Sequence, residues 1–446
     1  MKSRLTKVLH PLLGLPILNH VLRAADALAP SDVVVVVGAN APEIEAVLSE
    51  RHRIAIQEHP LGTADAVAAG LDVLADDVSD VLVLNGDVPL ITPQSLTRLV
   101  DARRADEALL SLATFTAPGS SRYGRVAMRD GRISGIIEAA DDEREGMDTF
   151  EANGGVYAFA ADWLRENIGR VRVSASGEYY LTTLVGIAAA AKGVERPVAS
   201  ARFDPDELIG VDDRARLAEA EAALRKRVLL GWMRDGVTIV DPERTIVELD
   251  VRLAPDVRVE PGSILRGNTE VGAGSVIGPY SVLEDSRVGE NAEIVHSWLT
   301  GAEVGDGVHI GPYSHMRPGT KIEAGVHIGN YVEAKAATIG RGTRVGHFSY
   351  LGDATLGAGV NVGAGTITCN YDGERKHRTV IGDGVFLGSD TMLVAPVELG
   401  AGSQTGAGSV VTKSVPPGKT VVGVPARQIG SGVNRSAQAG NGEHGR

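Results

Sequence analysis

Two stretches of the 446-residue sequence carry side chains whose types and placing could do chemistry. One is Asn85-Gly86-Asp87-Val88-Pro89-Leu90, directly after the apolar run Val81-Leu82-Val83-Leu84. It sets a carboxylate at the carboxyl end of a strand, the edge of an open α/β sheet where ligands bind. Taken alone, Asp87 also reads as a turn residue or a helix cap. The other is Thr368-Cys369-Asn370-Tyr371-Asp372-Gly373-Glu374-Arg375-Lys376-His377, polar and basic, lying between two regular walls. Loops of that kind collect binding and catalysis.

The walls that position this loop come from a repeat. Val259, Leu265, Val271, Ile277 and Leu283 are spaced by six, as are Val304, Ile310, Met316, Ile322 and Ile328. A third run is Ile381, Leu387, Leu393, Leu399, Thr405 and Val411, and many heads precede glycine, as in Ile277-Gly278, Ile310-Gly311 and Leu387-Gly388. A helix would place heads three and four apart, and a lone amphipathic strand would alternate at two. A spacing of six fits a prism: three flat faces make a coil of about 18 residues whose aliphatic heads stack inward on those of the next coil. The glycines are expected at its corners, where positive φ costs them little. Val362 and Ile381 stand nineteen residues apart, so the 368–377 loop leaves the prism at a corner.

Before the prism the pattern changes. Residues 33–37 form a β-branched run, expected as a strand buried on both faces, followed by a helix over 41–50, a strand over 53–57, a helix over 63–74 and a second buried, central strand over 80–84. That is an α/β sheet built of crossovers. A helix of about twenty residues ending at Met233, with Leu217, Leu224, Val228 and Trp232 near helical spacing, connects the two units. The expected domains are therefore 1–211 (α/β), 212–236 (linker helix) and 237–429 (prism). The Gly-, Ser- and Asn-rich 430–446 is expected to be a disordered tail.

Composition narrows the function. A formal net charge of −13 argues against nucleic-acid or anionic-membrane partners, so an anionic ligand needs a local basic pocket. Cys369 is the only cysteine, which rules out an intrachain disulfide and favours a cytoplasmic address. Lys2, Arg4 and Lys7 before an apolar stretch imitate a signal peptide, but His10, Pro11 and Pro16 interrupt that stretch. No run is long enough to span a bilayer.

An α/β unit with Gly-Asp-Val-Pro-Leu, a linker helix and a hexad prism, in that order, resembles the bifunctional N-acetylglucosamine-1-phosphate uridyltransferase and glucosamine-1-phosphate acetyltransferase family of bacterial cell-wall synthesis. The resemblance covers about residues 1–425. It rests on Lys7-Val8-Leu9-His10, Leu61-Gly62-Thr63, Gly177-Glu178-Tyr179-Tyr180-Leu181 and Ile367-Thr368-Cys369-Asn370-Tyr371-Asp372-Gly373. It implies a Rossmann-like α/β nucleotidyltransferase domain followed by a left-handed parallel β-helix of hexapeptide repeats, assembled as a homotrimer. It also implies synthesis of UDP-N-acetylglucosamine in two steps, acetyl transfer from acetyl-CoA in the prism and Mg²⁺-dependent uridylyl transfer from UTP in the α/β unit.

The resemblance also implies site residues. His347, in Val345-Gly346-His347-Phe348-Ser349-Tyr350, matches the base that removes the proton of the attacking ammonium, a task in the range where histidine titrates. Arg317 and Lys335 match the sugar-phosphate clamp, and Tyr350, Asn361 and Lys376 match further substrate contacts, Lys376 acting across a subunit interface. Asn370 and Tyr371 match the surroundings of the thioester, where a donor stabilises the oxyanion. Ala364, Ser389 and Ala407 match the CoA groove, with Lys413 and Arg427 as candidates for its basic contact. In the α/β unit Asp87 and Asp212 match metal ligands, Asp212 replacing the family's common Asn. Lys7 matches a phosphate contact, Gln57, Gly62 and Thr63 the uracil pocket, and Gly124, Glu138 and Asn153 the sugar pocket; Asn85, where some members have Tyr for a sugar contact, and Gly86 match further positions that bind UTP or UDP-N-acetylglucosamine.

The family's opening strand and glycine-rich phosphate loop are not in this sequence, which begins Met1-Lys2-Ser3-Arg4. Two expectations follow: a natural start upstream with both activities, or acetyl transfer alone. A non-catalytic β-helix scaffold or regulatory subunit is the alternative from another class.

Overall fold

The computed structural model describes residues 1–38, 42–121, 123–139, 142, 148–174 and 177–429. The region expected as a tail lies outside the described residues. By contacts the chain divides into Met1–Leu224 and Arg225–Arg446. The division falls within one helix, Arg214–Arg234, at the expected connector. Its buried positions are Ala220, Leu224 and Leu229, whereas Val228 is only half-buried. Among the described residues no helix is long and apolar enough to cross a membrane.

The second unit is a parallel β-helix. Its short strands stack in three sheets of twelve, ten and nine strands, each complete coil contributing one strand to each, and the first sheet ends on the antiparallel Arg427–Gln428. The register follows the hexads. Val259 pairs with Ile277, Leu265 with Leu283, and Ile310 with Ile328. Every head in the three runs is buried, and all but Thr405 lie in one continuous aliphatic core.

The expected role of the glycines holds at Gly278 and Gly311, with φ of 106° and 120°, but not at every head. Gly272 and Gly388 follow their heads without positive φ; there an added Cβ would lie 2.7 and 2.6 Å from the backbone of the next coil, at Gly289 and Ala407. Close stacking, not backbone freedom, demands glycine at these positions. Conversely, one corner is held by bulky residues at positive φ: Tyr280, His296, Tyr313, Tyr331 and Phe348. Their rings pack from coil to coil at 5.1–5.5 Å, tilted from Tyr280 to Tyr313 and stacked from Tyr313 to Phe348. Neighbouring rings cover apolar faces that a single ring would leave in water.

Among the described residues the first unit has, besides a small antiparallel pair of Pro11–Leu12 with Leu15–Pro16, two sheets that shape it. Val33–Gly38 pairs in parallel with His52–Gln57. The second sheet is mixed and six-stranded, centred on Leu110–Pro118 and Thr149–Ala160, with Asp80–Val83 antiparallel to the latter. Three expectations are corrected here. Val33, Val34, Val35 and Val36 are half-buried rather than buried on both faces, because their strand has a partner along one edge only among the described residues. Asp80–Val83 is likewise half-buried and an edge strand, not a central one. The free edges of both strands line a cavity of roughly 1650 Å³. The helix expected over 41–50 is only Pro42–Glu45. Asn19 Nδ2 donates to the Val47 carbonyl at 3.1 Å, a tertiary bond competing for a group that a longer helix would use.

Candidate active sites

In the β-helix the site is built by coil register. Asn330 pairs with His347 one coil on, and His347 Nδ1 makes a short hydrogen bond with Asn330 Oδ1. The next residue, Phe348, turns the corner at φ 46°. Hydrogen bonds repeat along that corner, from Phe348 N to Asn330 O (3.1 Å), from Asp390 N to Ala364 O (2.7 Å) and from Gly408 N to Ser389 O (2.8 Å). They place Asn330, His347, Ala364, Ser389 and Ala407 at equivalent positions on successive coils. Rings occupy the corner as far as Phe348; beyond it stand Gly365, Asp390 and Gly408, so the ring ladder ends at the coil that carries the imidazole.

The next face carries the cations. Arg317 Nη1 donates to Glu333 Oε1 at 2.7 Å. Lys335 is register partner of Gly352 and lies beside Lys376, whose like charge, with a smaller effect from Arg317, pushes its pKa below the usual lysine value. Three cations thus converge, a clamp for a phosphate. Lys376, expected to serve a neighbouring subunit, reaches Lys335 of its own chain. Its loop is tied by the Tyr371–Lys376 bridge, by His377 N to Asn370 O at 2.7 Å, and by Asp372. The Asp372 carboxylate accepts from the amides of Arg375 and Glu374 and from His377 Nε2, which holds it well below the ordinary carboxylate range.

Tyr350 and Asn370 meet at Gly352. A Cβ added there would lie 2.4 Å from the Tyr350 hydroxyl and 2.7 Å from Asn370 Nδ2. Asn370 is buried, its Nδ2 donating to Asp353 Oδ2 (2.5 Å) and its backbone N–H to Thr368 O (2.9 Å). One amide hydrogen therefore remains for an oxyanion, and the backbone donor is already used. The Tyr371 hydroxyl turns back to Gly373 O at 2.5 Å. Asn361 is exposed one coil beyond His347, between Arg344 and Phe386. Of the two basic candidates for CoA, Arg427 is better placed. It pairs with Val422, whose side chain abuts Gly406, next to Ala407.

In the α/β unit, Lys7 Nζ bridges Asp87 Oδ2 (2.6 Å) and Asp212 Oδ1 (3.1 Å). Burial pulls the Lys7 ammonium down, but its bonds and charge interactions with Asp87 and then Asp212 outweigh this and raise its pKa. Val211 N donates to Asp87 O at 2.9 Å, which brings Asp212 to Asp87 across more than a hundred residues. Two carboxylates converge on one cation, a hard-oxygen pair of the kind Mg²⁺ takes, so these residues fit such an ion. The cavity beside them is also lined by Gln57, Thr63, Asn85, Gly86, Glu138 and Asn153. Gly62, at φ 124°, lies so close to Tyr179 that a Cβ would stand 2.6 Å from its carbonyl oxygen. The Leu61-Gly62-Thr63 segment is clasped by Tyr179 N to Leu61 O (2.7 Å) and Leu181 N to Thr63 Oγ1 (3.0 Å). Gln57 Nε2 is bound to Asp65 at 2.7 Å. Gly124 abuts Glu138, which accepts from Thr182 Oγ1 at 2.5 Å, and Asn153 bonds the buried Tyr157 hydroxyl at 2.7 Å.

Asn330, Glu333 and Asp353 belong to the first site and were absent from the sequence reading. For Asn330 a signal existed, since it precedes His347 by 17 residues, one coil.

The profile of the MobA-like NTP transferase domain matches residues 1–153, and that of the bacterial transferase hexapeptide (six repeats) matches 301–334 and 378–413. The chain is 43% identical over 436 residues to the bifunctional protein GlmU of Kineococcus radiotolerans, covering 96% of this chain and 88% of that protein. Against the protein of the same name from Alkalilimnicola ehrlichii it is 44% identical over 443 residues, covering 98% and 94%. For Mycolicibacterium vanbaalenii the figures are 42% over 447 residues, 98% and 90%.

Proposed function

This chain belongs to the bifunctional GlmU family, and on that premise we propose how its two units divide the chemistry. It is an enzyme that makes UDP-N-acetylglucosamine by acetyl transfer from acetyl-CoA to glucosamine-1-phosphate, then uridylyl transfer from UTP to N-acetylglucosamine-1-phosphate. That membership sets aside the scaffold alternative.

Acetyl transfer belongs to the β-helix. The observation that carries this is the imidazole of His347, held through Nδ1 by Asn330 and followed at the same position on the next coils by Ala364, Ser389 and Ala407. With Nδ1 occupied, Nε2 is the free ring nitrogen. It takes a proton from the substrate amine as the nitrogen attacks the thioester carbonyl. The remaining amide hydrogen of Asn370 faces the oxyanion. Collapse of the tetrahedral intermediate breaks the C–S bond, and the imidazolium returns the proton to the leaving thiolate. Arg317, Lys335 and Lys376 hold the sugar phosphate, placing the amine at the base.

Uridylyl transfer belongs to the α/β unit. A phosphate oxygen of N-acetylglucosamine-1-phosphate attacks the α-phosphorus of UTP, and pyrophosphate leaves. Asp87 and Asp212 would hold Mg²⁺, which when bound neutralises phosphate charge. Lys7, displaced from the carboxylates, is then free to contact a phosphate. Gln57, Gly62 and Thr63 serve the uracil; Gly124, Glu138 and Asn153 serve the sugar, with Asn85 and Gly86 as further contacts to UTP or UDP-N-acetylglucosamine. The assembly is a homotrimer in the cytoplasm, and the product enters cell-wall synthesis; family membership and the hexapeptide repeats support this.

A substrate panel tests the reading. CoA release should require glucosamine-1-phosphate, with plain glucosamine at least about 100-fold poorer because the cation clamp then holds nothing. Pyrophosphate release should prefer UTP over the other nucleoside triphosphates. Equal use of glucosamine would remove the clamp from the account.

A further inference from the structure

Apart from the residues matched by resemblance, the imidazole of His347 has one partner whose role nothing else assigns. Asn330 sits one coil earlier in the same parallel ladder, 17 residues before the histidine, and its Oδ1 meets His347 Nδ1. The backbone fixes this meeting. Asn330 and His347 are register partners in a ladder whose flanking positions, Ile328 and Val345, are fully buried, and the Asn330 carbonyl accepts the N–H of Phe348 at 3.1 Å.

An amide oxygen can only accept a hydrogen bond, so its contact with Nδ1 requires the proton to be there. Which nitrogen of a neutral imidazole carries the proton is set by the hydrogen bond the other nitrogen makes. We infer that Asn330 is a positioning residue for acetyl transfer: it holds His347 in the Nδ1–H tautomer and aims the lone pair of Nε2 at the substrate amine. This rests on the reading of His347 as the base. An asparagine differs from a carboxylate in the same place, because it fixes tautomer and direction without adding charge that would stabilise the imidazolium. The base therefore returns its proton readily to the leaving thiolate.

The neighbourhood supports an orienting rather than a charging role. Near this stretch stand His327, on the preceding coil, and Arg344, on the histidine's own strand. His327, exposed and next to His309, Arg344 and His347, is held below the usual imidazole range, first by the partial burial of its ring and then by those neighbours. Asn330 is the neutral member beside the base.

The test uses the full chain with Asn330→Ala and Asn330→Asp. For N330A the expectation is a fall of about 10–100-fold in kcat for CoA release, with KM for both substrates within about twofold and pyrophosphate release unchanged. N330D keeps an acceptor, so it should recover most of kcat, while its charge moves the acid limb of the pH profile upward. Nitrogen-15 shifts of His347 supply a readout independent of turnover. Nδ1 should be the protonated nitrogen in the parent chain, and N330A should give a tautomer mixture. An unchanged tautomer in N330A overturns the inference. A changed tautomer with unchanged kcat sinks the reading of His347 as the base, and the inference with it. Equal losses in N330A and N330D with an unshifted limb also overturn it, since they indicate a packing role.

Discussion

The tightest geometric statement about the acetyl-transfer site concerns a residue that does no chemistry. Gly352 is buried, is the register partner of Lys335, and donates its N–H to Thr368 Oγ1 at 2.7 Å. Its backbone is outside the left-handed region, so only its surroundings forbid a side chain. A Cβ would stand 2.4 Å from the Tyr350 hydroxyl and 2.7 Å from Asn370 Nδ2, about 1 Å short of ordinary contact at roughly 3.5 Å. Both obstacles are ends of side chains, which can move without breaking the coil. Gly352→Ala should therefore fold and shift the phenol and the amide by about 1 Å. A displacement of that size in a positioned group costs about 100-fold in rate. The assay is CoA release from acetyl-CoA and glucosamine-1-phosphate, with thermal unfolding and pyrophosphate release as controls. Retention of kcat within about threefold, at unchanged Tm, would refute the placing of Tyr350 and Asn370 at the reacting centre.

Lys376→Met should raise KM for glucosamine-1-phosphate about 10-fold with a smaller change in kcat. Because Lys376 lowers the pKa of Lys335, the parent chain's KM should climb as pH rises through a value below the 10.5 of an ordinary lysine, and K376M should move that climb to higher pH; KM measured against pH checks both. Asp372→Asn should loosen the 370–378 loop, seen as faster amide exchange at Glu374 and Arg375. In the parent chain the Asp372 contribution is fully present above the unfolded value of 3.8 and is lost as pH falls through the lower folded one. Ile339→Ala, at a fully buried head, should destabilise the β-helix by about 2–5 kcal/mol in denaturant titration, with acetyl-transfer kcat unchanged under native conditions.

The β-helix was legible because its physics is periodic. Each head at a spacing of six meets the next coil's head, so counting residues locates the core, the faces and the corner where 368–377 leaves. The same counting reaches Asn330, since residues one coil apart touch; it cannot say which of two touching polar residues matters. Gly272 and Gly388 misled because small size and positive φ ask for the same residue, and only coordinates separate them. In the α/β unit the valines of 33–37 announced a strand correctly. Their half-burial was not readable, because burial depends on which strands pair, a long-range choice that composition does not encode. The expectation that Lys7 contacts a phosphate came only through resemblance, and its place between Asp87 and Asp212 required the fold that joins positions 7, 87 and 212.

Reciprocal inactivation in the full chain tests the central claim, that two separate sites carry the two steps. His347→Ala should abolish CoA release by at least about 1000-fold and leave pyrophosphate release untouched, while Asp87→Asn should do the reverse. A folded variant in which either substitution silences both reactions, or neither, would contradict the assignment of one chemistry to each unit.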